Sequence, residues 1–542
     1  MWQLKKQNKY IHMKNILLII LIAIAATGCE KFLDKRDPKA TTFQEFFNTE
    51  EDLRRVVYSS YTDVFTTVTD RRLLFYMQDG RTDDAYSRIS GDHHQLIANG
   101  SMNSNARLSE YYWTIHMKHI GRLNTYIANV DIPYVDDEAV RENYRNILEG
   151  LRAWHYFIAT SRWGNVPFLL EPADLETAKQ PAKPKEEILN LLFPMAEEIA
   201  NKLPPDEYTT NAYMFNKYSL KALIMRYALY NGKYEMAARL AKEIMDSKKY
   251  ELFASYANLF NYKGDKINKE FIMKMDMPSH NNTATNSFRD LGPQYRTGPG
   301  QSYSVPTKAL VDAYWTLQGR PIDKCPLYKK EQYELNPKLN RDPRFSASIF
   351  GHGDKFSGEI INIYDENSPL YYKNLRASST GYWYKKFVDE ADAFKTSGGN
   401  MHFPLLRYAE VLLTYAEAKI MLGDVDDLAK SCINQIRKRA GLDMSVADVT
   451  LTPKTKQEWI DLIRNERRTE FAAEGLRYDD IIRWKTAEVV LNKPALGHTR
   501  KIDDSLVSLK IEDREFLTHQ YLWPFHESSL RVEPGLKQNP GY

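Results

Sequence analysis

The chain has 542 residues, 43% hydrophobic and 27% charged, the ordinary balance of a globular protein with a large core and room for two lobes. Its formal net charge is only +3, with lysine and arginine scattered rather than striped, which argues against a strong polyanion partner and leaves no nucleic-acid footprint. Tyrosine is abundant, 35 against 23 phenylalanines, and offers a flat apolar ring with a polar tip that suits cores and wet binding surfaces alike.

The first element is MKNILLIILIAIAATGC, apolar from Ile16 to Ala26 and ending in small residues, as a signal peptide does. Lys5, Lys6, Lys9 and Lys14 precede the apolar run, an asymmetry that favours export, and Met13 stands as an alternative start. Ala26-Thr27-Gly28-Cys29 resembles a bacterial lipobox, with Ala26 where leucine is commoner. On this reading residues 1–28 are the signal peptide, Cys29 is lipidated, and residues 29–40 form a tether. The protein is then anchored in a membrane rather than spanning it, since no other stretch approaches the roughly 20 apolar residues a helix needs to cross. Each acyl CH₂ contributes about 0.8 kcal/mol to the anchor. Cys325 and Cys432 do not make a disulfide framework and read as two unpaired thiols.

Helical periodicity dominates as far as residue 247, with predicted helices at 43–66, 109–130, 137–163, 185–202, 216–231 and 233–247. Pro184 marks one helix start and Pro204-Pro205 its end. ALIMRYALYNGKYEMAARLAKEI and AEVLLTYAEAKIMLGDVDDLAKSCINQI share a helix, a glycine break and a second helix, and resemble tetratricopeptide-type hairpins. Gly232 precedes Ala238, and Gly423 precedes Ala429, by the same interval, a spacing of small residues expected to let paired helices approach. The segments at 141–168 and 184–204 read as another such pair. Residues 248–402 are rich in Asn, Ser, Gly, Pro and aromatics, with short strands predicted at Glu270–Met275 and Gly358–Ile363. Loops of this length are functional or disordered. Helices are predicted again at 403–422, 424–440 and 455–485, and a final loop ends the chain.

Two groups of carboxylates raise the question of catalysis. Glu410 and Glu417 lie on about one face of a helix, and Glu466, Glu470 and Glu474 are spaced at i, i+4 and i+8. Like charges at that spacing repel by a few tenths of a kcal/mol unless paired. Arg407 beside the first group, and Arg437, Arg439, Arg467, Arg477 and Arg483, supply planar forks that grip carboxylates in two places. Interhelical ion pairing is therefore expected over a glycosidase pair, whose acids stand roughly 5–9 Å apart in a cleft. His93-His94 and His116-x-x-His119 lack the His-Glu-x-x-His spacing of a zinc helix and read as ordinary histidines, so no metal and no cofactor is expected.

Several segments together carry a resemblance. CEKFLD follows the lipobox; YYWTIHMKHIGRLNTYIANV carries Trp113 and Asn124; GLRAWHYFIATSRWGNVPFL carries Trp163 in place of a usual tyrosine. Arg341-Asp342-Pro343-Arg344, Gly381-Tyr382 with Lys385 and Lys386, FPLLRYAEVLLTYAEA, NQIRKRAG, ERRTEFAAEGLRYDDIIRW, YLWPFHE and the terminal QNPGY follow in order. The chain so resembles the SusD/RagB family of Bacteroidetes outer-membrane lipoproteins over nearly its whole length. Phe525-His526 departs from the family's more frequent Ile-Pro. The resemblance implies a mostly α fold, a tetratricopeptide-like helical hairpin scaffold of four hairpins with a loop-rich, partly irregular ligand-binding face. It implies one domain over 41–542, with a helical half to about residue 250 and a loop-rich and C-terminal helical half beyond. It further implies a surface lid on a SusC-like TonB-dependent transporter that binds a nutrient, most often a glycan and sometimes peptides, without catalysis. Glu30, Lys31 and Asp34 fit the charged segment that sends such lipoproteins to the outer face. A peptide-binding member, a glycoside hydrolase and a plain helical scaffold are the alternatives.

In that family, ligand contacts commonly fall in loops at two places. Here these are MQDGRTDDAYSRISGDHHQLIANG, offering Asp79, Arg81, Asp84, Tyr86 and Asn99, and FRDLGPQYRTGPGQSYS, offering Arg289, Gln294, Tyr295, Arg296 and Tyr303. Aromatic faces stacked on pyranose C–H groups and flanked by hydrogen-bonding side chains would recognise a sugar. Packing of Tyr295 and Tyr303 against the scaffold is the competing expectation.

Overall fold

The structure is a computed structural model that describes residues 47–65, 75–88, 93–174, 176–206, 214–265, 267–275, 287–294, 300–393, 399, 401–452 and 454–542. The expected signal peptide, the expected lipidation site Cys29 and the expected tether lie outside the described residues.

Ten helices form the scaffold: α1 Glu50–Phe65, α2 Arg107–Ala128, α3 Glu138–Trp163, α4 Lys185–Lys202, α5 Lys217–Tyr230, α6 Tyr234–Asp246, α7 Tyr408–Leu422, α8 Asp427–Ala440, α9 Lys456–Glu470 and α10 Arg477–Arg483. Their starts are chemically explicit. Asp137 caps α3, while Asn216 with Ser219 and Thr455 with Glu458 form reciprocal capping boxes on α5 and α9. Helix α3 packs on α1, α2 and α4, α4 on α5, α5 on α6, α6 on α7, and α7 on α8 and α9. The result is a mostly α fold of tetratricopeptide-like hairpins.

The hairpin glycines act through backbone conformation. Gly232 (φ 70°) and Gly423 (φ 77°) occupy left-handed positions just past α5 and α7, and a Cβ added at either would meet nothing within 4 Å. Ala237, Ala241 and Ala429, on the helices that follow these glycines, are fully buried.

The sheets are small and antiparallel. β1 Ala85–Ser87 pairs with β3 Ser304–Pro306, β2 Phe271–Met275 with β4 Phe403–Arg407, and β5 Ala495–Ile502 with β6 Ser505–Glu512. Four sequence expectations differ from the fold. Residues 403–407 form a fully buried strand rather than the first turn of a helix, because Pro404 lacks an N–H and disfavours helical backbone before it. The helix expected over 455–485 breaks after Glu470, where Ala473 (φ 64°) and Gly475 (φ 74°) turn the chain, so Glu474 lies beyond the end of α9. The final stretch is not all loop: β5 and β6 meet at Asp503-Asp504, both with positive φ, the backbone of a tight hairpin turn without its usual glycine. At Gly358–Ile363 only Glu359–Ile360 is extended, paired with Lys355–Phe356.

One hydrophobic cluster runs from Phe47 to Leu536. Trp113 and Trp163 meet edge to face at 5.2 Å, Trp163 and Trp523 at 5.7 Å, and Trp113 and Phe525 at 4.9 Å. The Asn539 amide donates to the carbonyls of Trp163 and Trp523 at 3.1 and 2.7 Å, tying the terminal segment to this cluster. Cys325 and Cys432 are buried free thiols. Among the described residues no helix is long and apolar enough to cross a membrane.

Candidate functional site

The two loops singled out in the sequence, more than 200 residues apart, are joined by the β1–β3 ladder, in which Ala85 pairs with Pro306, Tyr86 with Val305 and Ser87 with Ser304. Ala85 and Ser87 are buried while Tyr86 between them is half-buried, so the period of two turns Tyr86 outward. Arg88, one more alternate position along, reaches across to the second loop. Its Nε donates to the Ser302 carbonyl at 3.3 Å, and its other nitrogens donate to the carbonyls of Gln301 and Leu375. The guanidinium also stands 5.6 Å from the centre of the Tyr303 ring. Arg88 thus fixes three loop carbonyls and one aromatic face at a half-buried position. The Trp383 indole supports the second loop from beneath, donating to Ser302 Oγ at 2.8 Å. Arg88 thereby links Tyr303 and the 82% exposed Leu375, with Tyr86 two positions before it on β1, and Tyr303 also packs partly buried against the hydrophobic core.

Other charged residues of the first loop turn inward and are held by the scaffold. Asp79 is wholly buried, and its Oδ2 accepts from the Ala473 amide at 2.7 Å. Burial and the Asp84 charge push its carboxyl up to about 8 against the Ala473 hydrogen bond, so it is largely protonated at neutral pH. Arg81 is buried among the rings of Tyr112, Trp523 and Tyr478, and donates to His94 at 3.0 Å. Asp84 accepts from Arg468 Nε at 2.7 Å. These three hold the loop onto the scaffold. Asn99 is half-buried beside Glu512, Arg289 lies 3.4 Å from Asp290, and Gln294 is half-buried. Tyr295 and Arg296 lie outside the described residues. Arg88, Gln301 and Leu375 were not singled out in the sequence; alternation from Tyr86 points to Arg88, whereas Leu375 arrives from a third loop.

The carboxylates form a buried charge network. Arg407 donates to Glu270 at 2.8 Å, Glu470 at 2.7 Å and Glu474 at 2.7 Å, and to the Glu470 carbonyl at 2.9 Å. Arg439 adds to Glu270 and Glu470, and Lys386 to Glu474. Arg344 and Arg437 hold Glu466 at 2.9 and 2.7 Å. Burial alone would raise the Glu466 and Glu470 carboxyls, but Arg437 and Arg344 around the first, and Arg439, Arg407 and Arg344 around the second, hold both below the usual range. A general acid needs the opposite shift. Two expected pairings differ. Arg407 serves the second group of carboxylates rather than its own helix, where Glu410 is gripped by both Nε and Nη2 of Arg226 at 2.6 Å, and Glu417 by Arg483 at 2.7 Å. Arg477 pairs with Asp83 at 3.0 Å, outside the glutamate group. The reason is topological: β4 delivers Arg407 to the end of α9, while α5 brings Arg226 to the start of α7. His116 shares a 2.9 Å hydrogen bond with His155, and burial depresses both imidazoles, His116 to about 3.

The model of the SusD family matches residues 269–542. SusD-like protein P38 of Formosa agariphila is 26% identical, over 98% of this chain and 99% of its own. A SusD-like carbohydrate binding protein from Bacteroides fragilis superposes with a TM-score of 0.79 at 23% identity, over 91% of this chain and all of the other. Surface glycan-binding protein A from Bacteroides thetaiotaomicron, solved in complex with laminarihexaose, does so with a TM-score of 0.66 at 20% identity, over 91% of this chain and all of the other. With the family model covering half the chain and the fold shared along nearly all of it, the chain belongs to the SusD family.

Proposed function

We propose that the protein is a lipid-anchored, surface-exposed binder of a glycan or oligosaccharide, which it delivers to a SusC-like TonB-dependent outer-membrane transporter. The observation that carries the reading is the β1–β3 ladder, which gathers Tyr86, Arg88 and Tyr303 from distant loops onto one face. Half-buried tyrosine rings fixed by an arginine suit the apolar face of a pyranose, and the surrounding loop amides suit its hydroxyls. Two structural neighbours, one named a carbohydrate binding protein and one holding laminarihexaose, support a saccharide over a peptide. The run ending in Cys29 supports the anchor and the outer-membrane location. A binding rather than catalytic role is supported by the glutamates, each facing arginines inside the scaffold. Calorimetric titration with a panel of neutral oligosaccharides, including laminarihexaose, and with oligopeptides tests the class of ligand. Binding of one or more saccharides and of no peptide is expected; peptide binding alone would replace the glycan reading.

A further inference from the structure

A separate cavity of about 560 Å³ is walled by the start of α4, the α5–α6 turn, α9 and the segment just past α10. It shares no lining residue with the β1–β3 face. Lys185, Arg464 and Lys485 line it, and among the described residues none of the three is within ion-pair distance of a carboxylate. The other charges on the wall are mostly spent. Arg483 is matched by Glu417 and Asp480, and Asp479 by Arg162, which leaves the exposed Glu186 as the remaining carboxylate.

Aromatic rings position two of the cations in place of counter-ions. Arg464 stands 5.0 Å from the centre of the Trp484 ring, and the Lys485 ammonium 4.2 Å from that of Tyr521. A ring face steadies a cation electrostatically but leaves its charge and its N–H donors available. Burial depresses both Lys185 and Arg464, and Lys485 presses Lys185 further against the pull of Glu186. Lys485 also holds a left-handed backbone (φ 55°), a conformation a lysine adopts at a cost. Tyr230 lines the same space, and its buried hydroxyl meets no hydrogen-bond partner.

We infer that this cavity is a second ligand site, for an oxyanion (carboxylate, sulfate or phosphate) carried by a small ligand. Three cations without an ion-pair partner among the described residues line one concave space, Lys185 and Lys485 close enough to repel and Arg464 beside Arg483, and an oxyanion there offsets that like charge while accepting charge-assisted hydrogen bonds. The volume lies in the range of about 300–1,000 Å³ that holds small molecules and exceeds what a bare ion fills. The site does not depend on the glycan reading of the β1–β3 face.

Calorimetric titration of the full chain at low salt, with inorganic phosphate, inorganic sulfate, glucuronate, galactose 6-sulfate and uncharged glucose, tests it. At least one oxyanion is expected to bind while glucose does not, with affinity falling as salt is raised. Arg464→Gln is expected to weaken that binding about tenfold or more, with oligosaccharide binding at the β1–β3 face retained. Lys485→Gln, at an exposed position, gives the same readout should Arg464→Gln fold poorly. Preference for glucuronate or the sulfated sugar supports an oxyanion carried by a small ligand, whereas binding of phosphate or sulfate alone, with neither charged sugar, overturns that assignment in favour of a bare-ion site. Absence of binding by every oxyanion in the wild type, or affinity unchanged in both well-folded variants, overturns it.

Discussion

At the scale of single residues, the loop that looked most like a binding motif divides between two tasks. Asp79, Arg81 and Asp84 are charged and adjacent in sequence to Tyr86, and composition alone cannot say which of them turns inward. Burial settles it, and Asp79 carries a testable consequence. Its folded value of about 8 lies above the 3.8 of an ordinary aspartate, so the native state binds a proton that the unfolded chain has released across the interval between them. Stability from this group is therefore intact below about pH 4 and declines as the pH rises towards 8. Asn keeps an acceptor for the Ala473 amide without an ionisable group. Asp79→Asn is expected to raise the melting temperature relative to wild type at pH 7.5, with the gain shrinking as the pH is lowered to 5. An equal difference at both pH values would refute the assignment.

At the scale of elements, the long periodic helices were legible because amphipathic spacing and caps such as Asn216 and Thr455 are local signals. The misses share a cause. The strand at Phe403–Arg407 is apolar and buried on both faces, and a short apolar run does not distinguish strand from helix. The Asp503-Asp504 turn lacks the glycine that normally announces a hairpin. The hairpin glycines are visible in the sequence, whereas their left-handed backbone is set by the fold. Since nothing lies near a Cβ at Gly423, Gly423→Ala is expected to cost about 1 kcal/mol through backbone strain alone, measured by denaturant unfolding. A loss several times larger would point to a clash instead.

At the scale of the whole molecule, the ordered motifs made the fold legible, while the ligand face was legible only as two separate loops. Nothing local announces that residues 85–87 and 304–306 pair, or that Arg88 meets Leu375. The same long-range closure organises the charges. Glu470 is shared by Arg344, Arg407 and Arg439, which arrive from the loop-rich half, β4 and α8. Glu470→Gln leaves these cations short of one buried counter-charge and is expected to destabilise the fold by about 3–5 kcal/mol in chemical denaturation. Full stability with ligand binding abolished would return this glutamate to the list of functional residues. The division between a charge-locked scaffold and an aromatic face is tested most directly by calorimetric affinity of Tyr303→Ala for the best-bound oligosaccharide. At a temperature where the variant remains folded, affinity is expected to fall about tenfold or more. Unchanged affinity in the folded variant would contradict the assignment of binding to this face.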